Sequence, residues 1–310
     1  MDEPESFKDI ICHLKDEKQK LNNSCLARLT DLDSDTLSLL GREWAAITDR
    51  RRLEIASRLV ELAEEDATLN FDSIFKLILG DRDKEIRLQA IYGLWENEQP
   101  SLAKSFITIM NTDQSPEVQA AAAQSLGRFA LLAELKELEP ELTSNLKKAL
   151  FDVIESKSRT EEVKRRALEA LAPFSLPETT TAIRNAYQSG SLKSKISAIY
   201  AMGKNCDPLW LPILTDELKS KNAEIRYEAA CACGEMEAES CVADLAELLY
   251  DLDTEVQLAS LQALGKIGSK NARENIRKCL KHPKEAISEL ARQILDELDM
   301  LEGTLPFDSG

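Results

Sequence analysis

The sequence predicts an all-α fold, an α-solenoid (right-handed α/α superhelix) of about eight helical hairpins with an N-terminal capping helix. Three observations carry this. An apolar, small, apolar pattern at positions zero, four and eight returns from the anchors Ile86, Val118, Val163, Ser194, Ile225, Val256 and Ile287, with Ser194 the one polar anchor. Those positions share one helical face. The anchors lie 32, 45, 31, 31, 31 and 31 residues apart, room for two helices and two turns. Three residues ahead of six anchors stands Asp83, Ser115, Thr160, Ser191, Asn222 or Asp253, whose side-chain oxygens can take up the free amides of a first helical turn.

Taken in order, Phe7, Ile10, Ile11 and Leu14 among charged residues make an amphipathic helix that seals the first hairpin. With its linker this segment spans residues 1–34. A weaker copy of the repeat follows, Leu37 to Ile47 leading into Arg52, Ala56 and Val60. The regular second helices carry Ala90, Ala122, Ala167, Ala198, Ala229, Ser260 and Ala291 at position four, small enough for a neighbouring helix to approach closely. Pro116 and the glutamates Glu85, Glu117, Glu162, Glu224 and Glu255 suit the positive ends of these helices. The first helices fall at Phe71 to Leu79, Leu102 to Met110, Leu209 to Leu218, Cys241 to Tyr250 and Ala272 to Leu280. The 45-residue interval holds fourteen extra residues near 129–142, read as an extended helix or an added turn. The last copy has Lys284 at the cap position, as terminal repeats often depart from their pattern. The solenoid is expected over 35–298 and a flexible tail over 299–310.

Composition narrows the function classes. With 43% hydrophobic and 30% charged residues the chain is too apolar for disorder and too charged for a membrane channel. Its net charge of −16 opposes nucleic acid and anionic membrane surfaces. The start lacks a basic segment ahead of an apolar stretch, and seven cysteines are an odd number without a secreted-scaffold spacing. The expectation is a cytoplasmic monomer with reduced thiols.

Asp83-Lys-Glu-Ile-Arg-Leu-Gln-Ala90 and Asn222-Ala-Glu-Ile-Arg-Tyr-Glu-Ala229, followed at the proper distance by Leu94 and by Cys233-Gly234, resemble HEAT repeats, nearest the short HEAT-like subtype of phycobilisome lyases. The resemblance covers roughly residues 35–298 and implies stacked hairpins whose second helices line a concave wall. It leaves function open, because such arrays serve as scaffolds, receptors, enzyme accessories and enzymes.

Catalytic material is scarce. His13 and His282 are the only histidines, far apart in a linear stack. The HEAT enzyme that hydroxylates deoxyhypusine binds iron through His-Glu pairs, and no His-Glu dipeptide occurs here. Cys231 and Cys233 are separated by about 200° around a helix and do not share a metal readily. Cys233 reads as a core filler and Cys231 as outward-facing. Phosphate-loop and nucleophile-elbow motifs are absent. The expectation is therefore a non-enzyme with no catalytic residue, metal or cofactor.

On the concave face the period places Tyr92, Glu96, Gln124, Arg128, Arg165, Arg166, Glu169, Tyr200, Lys204, Tyr227 and Glu228 as partner-binding candidates. Tyrosine and arginine are typical carriers of interface energy. A plain solvated helix face competes with that reading. Arg50 to Arg52 together with Arg165 and Arg166 suggest a positive strip for an acidic protein segment, with pairing to Glu54, Glu162 or Glu169 as the other use. Trp44 and Trp210 read as core anchors, and Trp95 stands where other copies have glycine. The function expected is a non-enzymatic protein-binding scaffold or adaptor. The alternatives are an accessory subunit of a tetrapyrrole-lyase-like enzyme and, disfavoured by charge, a DNA-binding protein.

Overall fold

In the computed structural model, which describes residues 7–304, all six expected caps are made. Asp83 accepts from the Glu85 amide, Ser115 from Val118, Thr160 from Val163, Ser191 from Ser194, Asn222 from Glu224 and Ile225, and Asp253 from Glu255. Two short helices come first, α1 (Phe7–Lys15) and α2 (Asn23–Ala27). Eight hairpins follow, pairing α3 (Ser34–Trp44) with α4 (Asp49–Glu65), α5 (Asp72–Ile78) with α6 (Lys84–Gly93), α7 (Pro100–Thr112) with α8 (Pro116–Glu134), and α9 (Pro140–Glu155) with α10 (Glu161–Leu171). The rest are α11 (Pro177–Tyr187) with α12 (Leu192–Asn205), α13 (Leu211–Glu217) with α14 (Ala223–Glu235), α15 (Val242–Leu248) with α16 (Thr254–Ile267), and α17 (Lys270–Cys279) with α18 (Glu285–Thr304). Short 3-10 turns at Pro208–Trp210 and Glu239–Cys241 lead into α13 and α15. There is no strand among the described residues.

Each even-numbered helix from α4 to α18 packs on the next, forming one continuous wall, while the odd-numbered helices form a second layer. The repeated residues at positions zero, four and eight are buried in that stack, apart from the partly exposed Ser194. Trp44 and Trp210 are core residues, their indole N–H groups donating to Asp81 (2.7 Å) and Asn205 (3.0 Å). Cys233 is buried and Cys231 partly exposed, and all seven cysteines are free thiols.

The fourteen extra residues lengthen α8 and α9 and place Lys136 in a left-handed turn between them. α1 packs on α3 and α4. At the other end α18 continues to Thr304, into the segment expected to be a flexible tail; residues 305–310 lie outside the described residues. Among the described residues no helix is long and apolar enough to cross a membrane.

Glycine at position nine brings the wall helices together. A Cβ on Gly203 would lie 2.7 Å from the Cα of Ala232, and one on Gly234 2.8 Å from the Cα of Ala263, so neither can be accommodated without moving backbone. Alanine ordinarily gains about 1 kcal/mol over glycine within a helix, whereas overpacking against a rigid neighbour costs about 1–3 kcal/mol. Gly203→Ala is therefore expected to lower stability by about 1 kcal/mol in urea unfolding. Gly80→Ala, which meets open space, should change it by less than about 0.5 kcal/mol.

A second device ties hairpin to hairpin. Arg87 of α6 forms a two-pronged pair with Asp113, just ahead of α8, at 2.8 and 2.9 Å. Arg226 of α14 does the same with Asp251 ahead of α16, at 2.7 and 2.8 Å. Arg52 of α4 reaches Asp81 ahead of α6. Each aspartate also accepts the backbone N–H two residues on. One side chain thus fixes both the loop and the neighbouring wall helix.

Candidate functional site

The wall opens into a cavity of about 210 Å³ where α8, α10, α12 and α14 meet. Its lining includes Gln124, Arg165, Arg166, Glu169, Tyr200 and Glu228, six of the eleven candidates from the sequence, together with Gly127, Ala170, Ile196 and Ser197. Helical offset explains the convergence. Arg165, Arg166 and Glu169 leave α10, Tyr200 leaves α12 at position six, and Glu228 leaves α14 at position three, so neighbouring helices point them into one recess.

The arginines here are already occupied. Arg165 donates from Nε to Ser197 Oγ (2.8 Å) and to the Lys193 carbonyl (3.1 Å), and pairs with Glu162. Arg166 donates to Glu162 (2.9 Å) and Glu169 (2.8 Å). Burial works against the Arg166 charge, but Glu169 and Glu162 outweigh it and hold the guanidinium above its ordinary pKa. Ser197 Oγ also donates to Glu169 (2.6 Å), closing the network.

Glu228 differs. Among the described residues it has no hydrogen-bonded or ion-paired partner, although it is half-buried. Burial first, and the like charge of Glu169 second, push its carboxyl up to about 7, with Lys204 opposing. Burial, then Glu169, Glu228 and Glu235, also raise the Tyr200 phenol. A carboxyl poised near neutrality in a recess can hold a cation or exchange a proton.

The remaining candidates are dispersed. Tyr92 and Tyr227 are exposed on the wall, away from the cavity lining. Lys204 is held by Glu235 at 2.7 Å, a carboxylate that also takes Lys266 of α16. Half-buried Arg128 donates to the Leu94 carbonyl at 3.4 Å, and desolvation lowers its pKa. Glu96 is exposed beyond the end of α6.

The positive strip expected to hold an acidic segment is absent as free charge. Arg51 and Arg52 are buried, Arg51 on the carbonyls of Leu14 and His13 and on Glu54, Arg52 on Asp81, Asp49 and the Ile47 carbonyl. With Arg165 and Arg166 also paired, the exception is Arg50, which is exposed at the start of α4. Ser197, which shapes the recess, went unnoticed in the sequence. Its signal was the offset it shares with Glu228, three residues after an anchor.

A family model described as HEAT repeats matches residues 71–150 and 211–296. A curated deoxyhypusine hydroxylase from Candida albicans is 24% identical over 228 residues, covering 72% of this chain; the chain spans 65% of that relative's length, under two thirds. Among solved structures, human deoxyhypusine hydroxylase in complex with glycerol is 18% identical, covers 95% of this chain and 96% of its own, and has a TM-score of 0.31. YibA of Escherichia coli is 17% identical, covers 77% and 96%, and has a TM-score of 0.45. The lyase subtype inferred from the sequence has no counterpart in these matches. The curated relative is an enzyme, which overturns the expectation of a non-enzymatic scaffold and of no enzymatic role.

Proposed function

The chain belongs to the HEAT-repeat family, and from that premise we propose that it serves an enzymatic role in which the central cavity holds one cationic side chain of a polypeptide substrate. The enzyme class is supported by the hydroxylase relative. The cavity is supported by Glu228, a recessed carboxylate with no partner among the described residues. An incoming ammonium supplies the counter-charge that the wall withholds. A cavity of about 210 Å³ suits one side chain. Tyr200 borders it with an aromatic face, and Glu169 adds a second carboxylate.

The iron implied by resemblance to deoxyhypusine hydroxylase does not fit the residues present. His13 sits in α1 and His282 between α17 and α18, near opposite ends of the stack. Among the described residues no group of three or more His, Cys, Asp or Glu could hold a metal ion. The chemistry this chain's own residues support is charge recognition and proton exchange at the Glu228 carboxyl.

Calorimetric titration with a short peptide carrying one lysine tests the reading. Binding at pH 8 is expected to weaken about tenfold or more in Glu228→Gln, the usual worth of a charged hydrogen bond, and to vanish when norleucine replaces the lysine. Equal binding by wild type and Glu228→Gln overturns it. Transfer of an oxygen atom to a deoxyhypusine-bearing polypeptide, read by mass spectrometry after adding ferrous iron, would overturn the metal misfit.

A further inference from the structure

The most exposed tryptophan lies outside the central cavity. Trp95, 60% exposed, follows the end of α6 beside Tyr92, 49% exposed, and both border a second recess of about 470 Å³ between the end of α4 and the start of α5. Large aromatic rings left in water on one rim are a standing driving force for association. Here the rim is well supported. The Trp95 N–H donates to the Tyr92 carbonyl (3.2 Å), and Asn97, buried two residues on, donates to Asp72 and accepts from the Gln99 amide (2.9 Å). The Phe75 ring packs so closely on Gly93 that a Cβ there would lie 2.4 Å from it, fixing the floor. The backbone that carries Trp95 is thus fixed, while its ring remains mostly in water.

The walls supply one sign of charge. Glu64, Glu96 and Asp72 line the recess, and no lysine, arginine or histidine does. Lys76 and Asn97 occupy Asp72. Glu64 and Glu96 have no hydrogen bond or ion pair among the described residues, although Glu96 lies within electrostatic reach of the Arg128 guanidinium of α8. Two aromatic faces with two unpaired carboxylates suit a planar cation, which can stack on indole while its N–H groups meet carboxylate oxygens. We propose that the Trp95 recess binds an arginine side chain from a basic polypeptide segment. This site is separate from the central cavity and stands independently of the role assigned to Glu228.

The test uses the whole chain and a Gly/Ser peptide bearing one arginine. Trp44 and Trp210 are buried, so acrylamide quenching of tryptophan emission reports chiefly on Trp95. The arginine peptide is expected to protect Trp95 from quencher, and a citrulline analogue, with the same shape and no charge, is not. In calorimetry Trp95→Ala should weaken binding about tenfold and Trp95→Phe less, following the cation–π order. Glu64→Gln with Glu96→Gln should weaken it and flatten its salt dependence. Glu228→Gln should leave the protection of Trp95 by the arginine peptide unchanged, so that failure here and failure of the central cavity are told apart. Far-UV circular dichroism verifies that these surface variants fold. Equal affinity for the citrulline peptide, full binding by Trp95→Ala, or no protection of wild type overturns the proposal.

Discussion

Asp81→Ala is expected to destabilise the first hairpins by about 3–5 kcal/mol, the usual loss when one member of a buried ion pair is removed. Asp81 is 3% exposed and Arg52 2% at their side chains, with Arg52 Nε 3.1 Å from one Asp81 oxygen and Nη2 3.1 Å from the other. The same carboxylate accepts the Trp44 indole N–H and the Asp83 amide. Alanine strands all these donors at once, on α3, on α4 and in the loop before α6. Asp49 and the Ile47 carbonyl remain to Arg52, which keeps the loss finite. Stacked hairpins contact only their neighbours, so the damage should appear as early unfolding at the N-terminal end and not as uniform weakening. Hydrogen exchange is the direct readout, with protection falling in α3 to α6 and holding in α12 to α16. Asp81→Leu combined with Arg52→Met should recover much of the loss, because desolvation of a lone charge is the larger part of it. If the double variant is as unstable as Asp81→Ala, stranded charge is not the cause.

That pair also marks how far the sequence could be read. The caps at Asp83, Ser115 and Asn222 were legible because a cap and its amides lie within three residues. The exposure of Tyr92, Tyr200 and Tyr227 was legible because helical offset alone fixes the face. The positive strip was half legible: the pairing of Arg51 with Glu54 and of Arg165 and Arg166 with Glu162 and Glu169 lies within one helix and stood as the alternative use, whereas the Asp81 partner of Arg52 comes from the next hairpin, 29 residues on, where period shows no pairing. The central recess was half legible. Its residues were named one helix at a time, but their meeting depends on the spacing of α8, α10, α12 and α14, where Gly127 brings α8 onto α10 and Gly203 brings α12 onto α14. The likeness to a deoxyhypusine hydroxylase left no trace in any motif, since histidine, the residue type that would announce it, is almost missing. Helix α18 runs past the expected boundary to Thr304, with Leu298, the last residue of the expected solenoid, still packed on the core.

Glu228→Gln is expected to stabilise the chain at pH 8 and to lose most of that advantage in mild acid. The sign follows from linkage. The Glu228 carboxyl rises from an ordinary 4.5 to about 7 in the folded chain, through burial and the charge of Glu169. The folded state therefore holds a proton that the unfolded state releases, and wild-type stability falls as pH climbs from about 4.5 to about 7. At about 1.4 kcal/mol for each tenfold in proton affinity, the penalty reaches up to about 3 kcal/mol at pH 8, before a discount for partial exposure. Glutamine resembles the protonated acid and avoids that penalty, so the variant should exceed wild type by about 2–3 kcal/mol at pH 8 and by about 1 kcal/mol at pH 5.5. The groups facing Glu228 are Glu169 and Arg166 of α10 with Tyr200 and Lys204 of α12; the arginine is tied to Glu162 and Glu169, and the lysine to Glu235. Denaturant unfolding at the two pH values measures the difference, with Glu274→Gln, at an exposed carboxylate of α17, as the neutral comparison. If Glu228→Gln is less stable than wild type at pH 8, the carboxylate has a favourable partner and the cavity offers no unmet charge. The expected result instead means that the wall retains a destabilising carboxylate, an arrangement typical of a site kept for a ligand at some cost to stability. A bound cation should then remove the penalty, and saturating wild type with the lysine peptide should narrow its gap from the variant at pH 8.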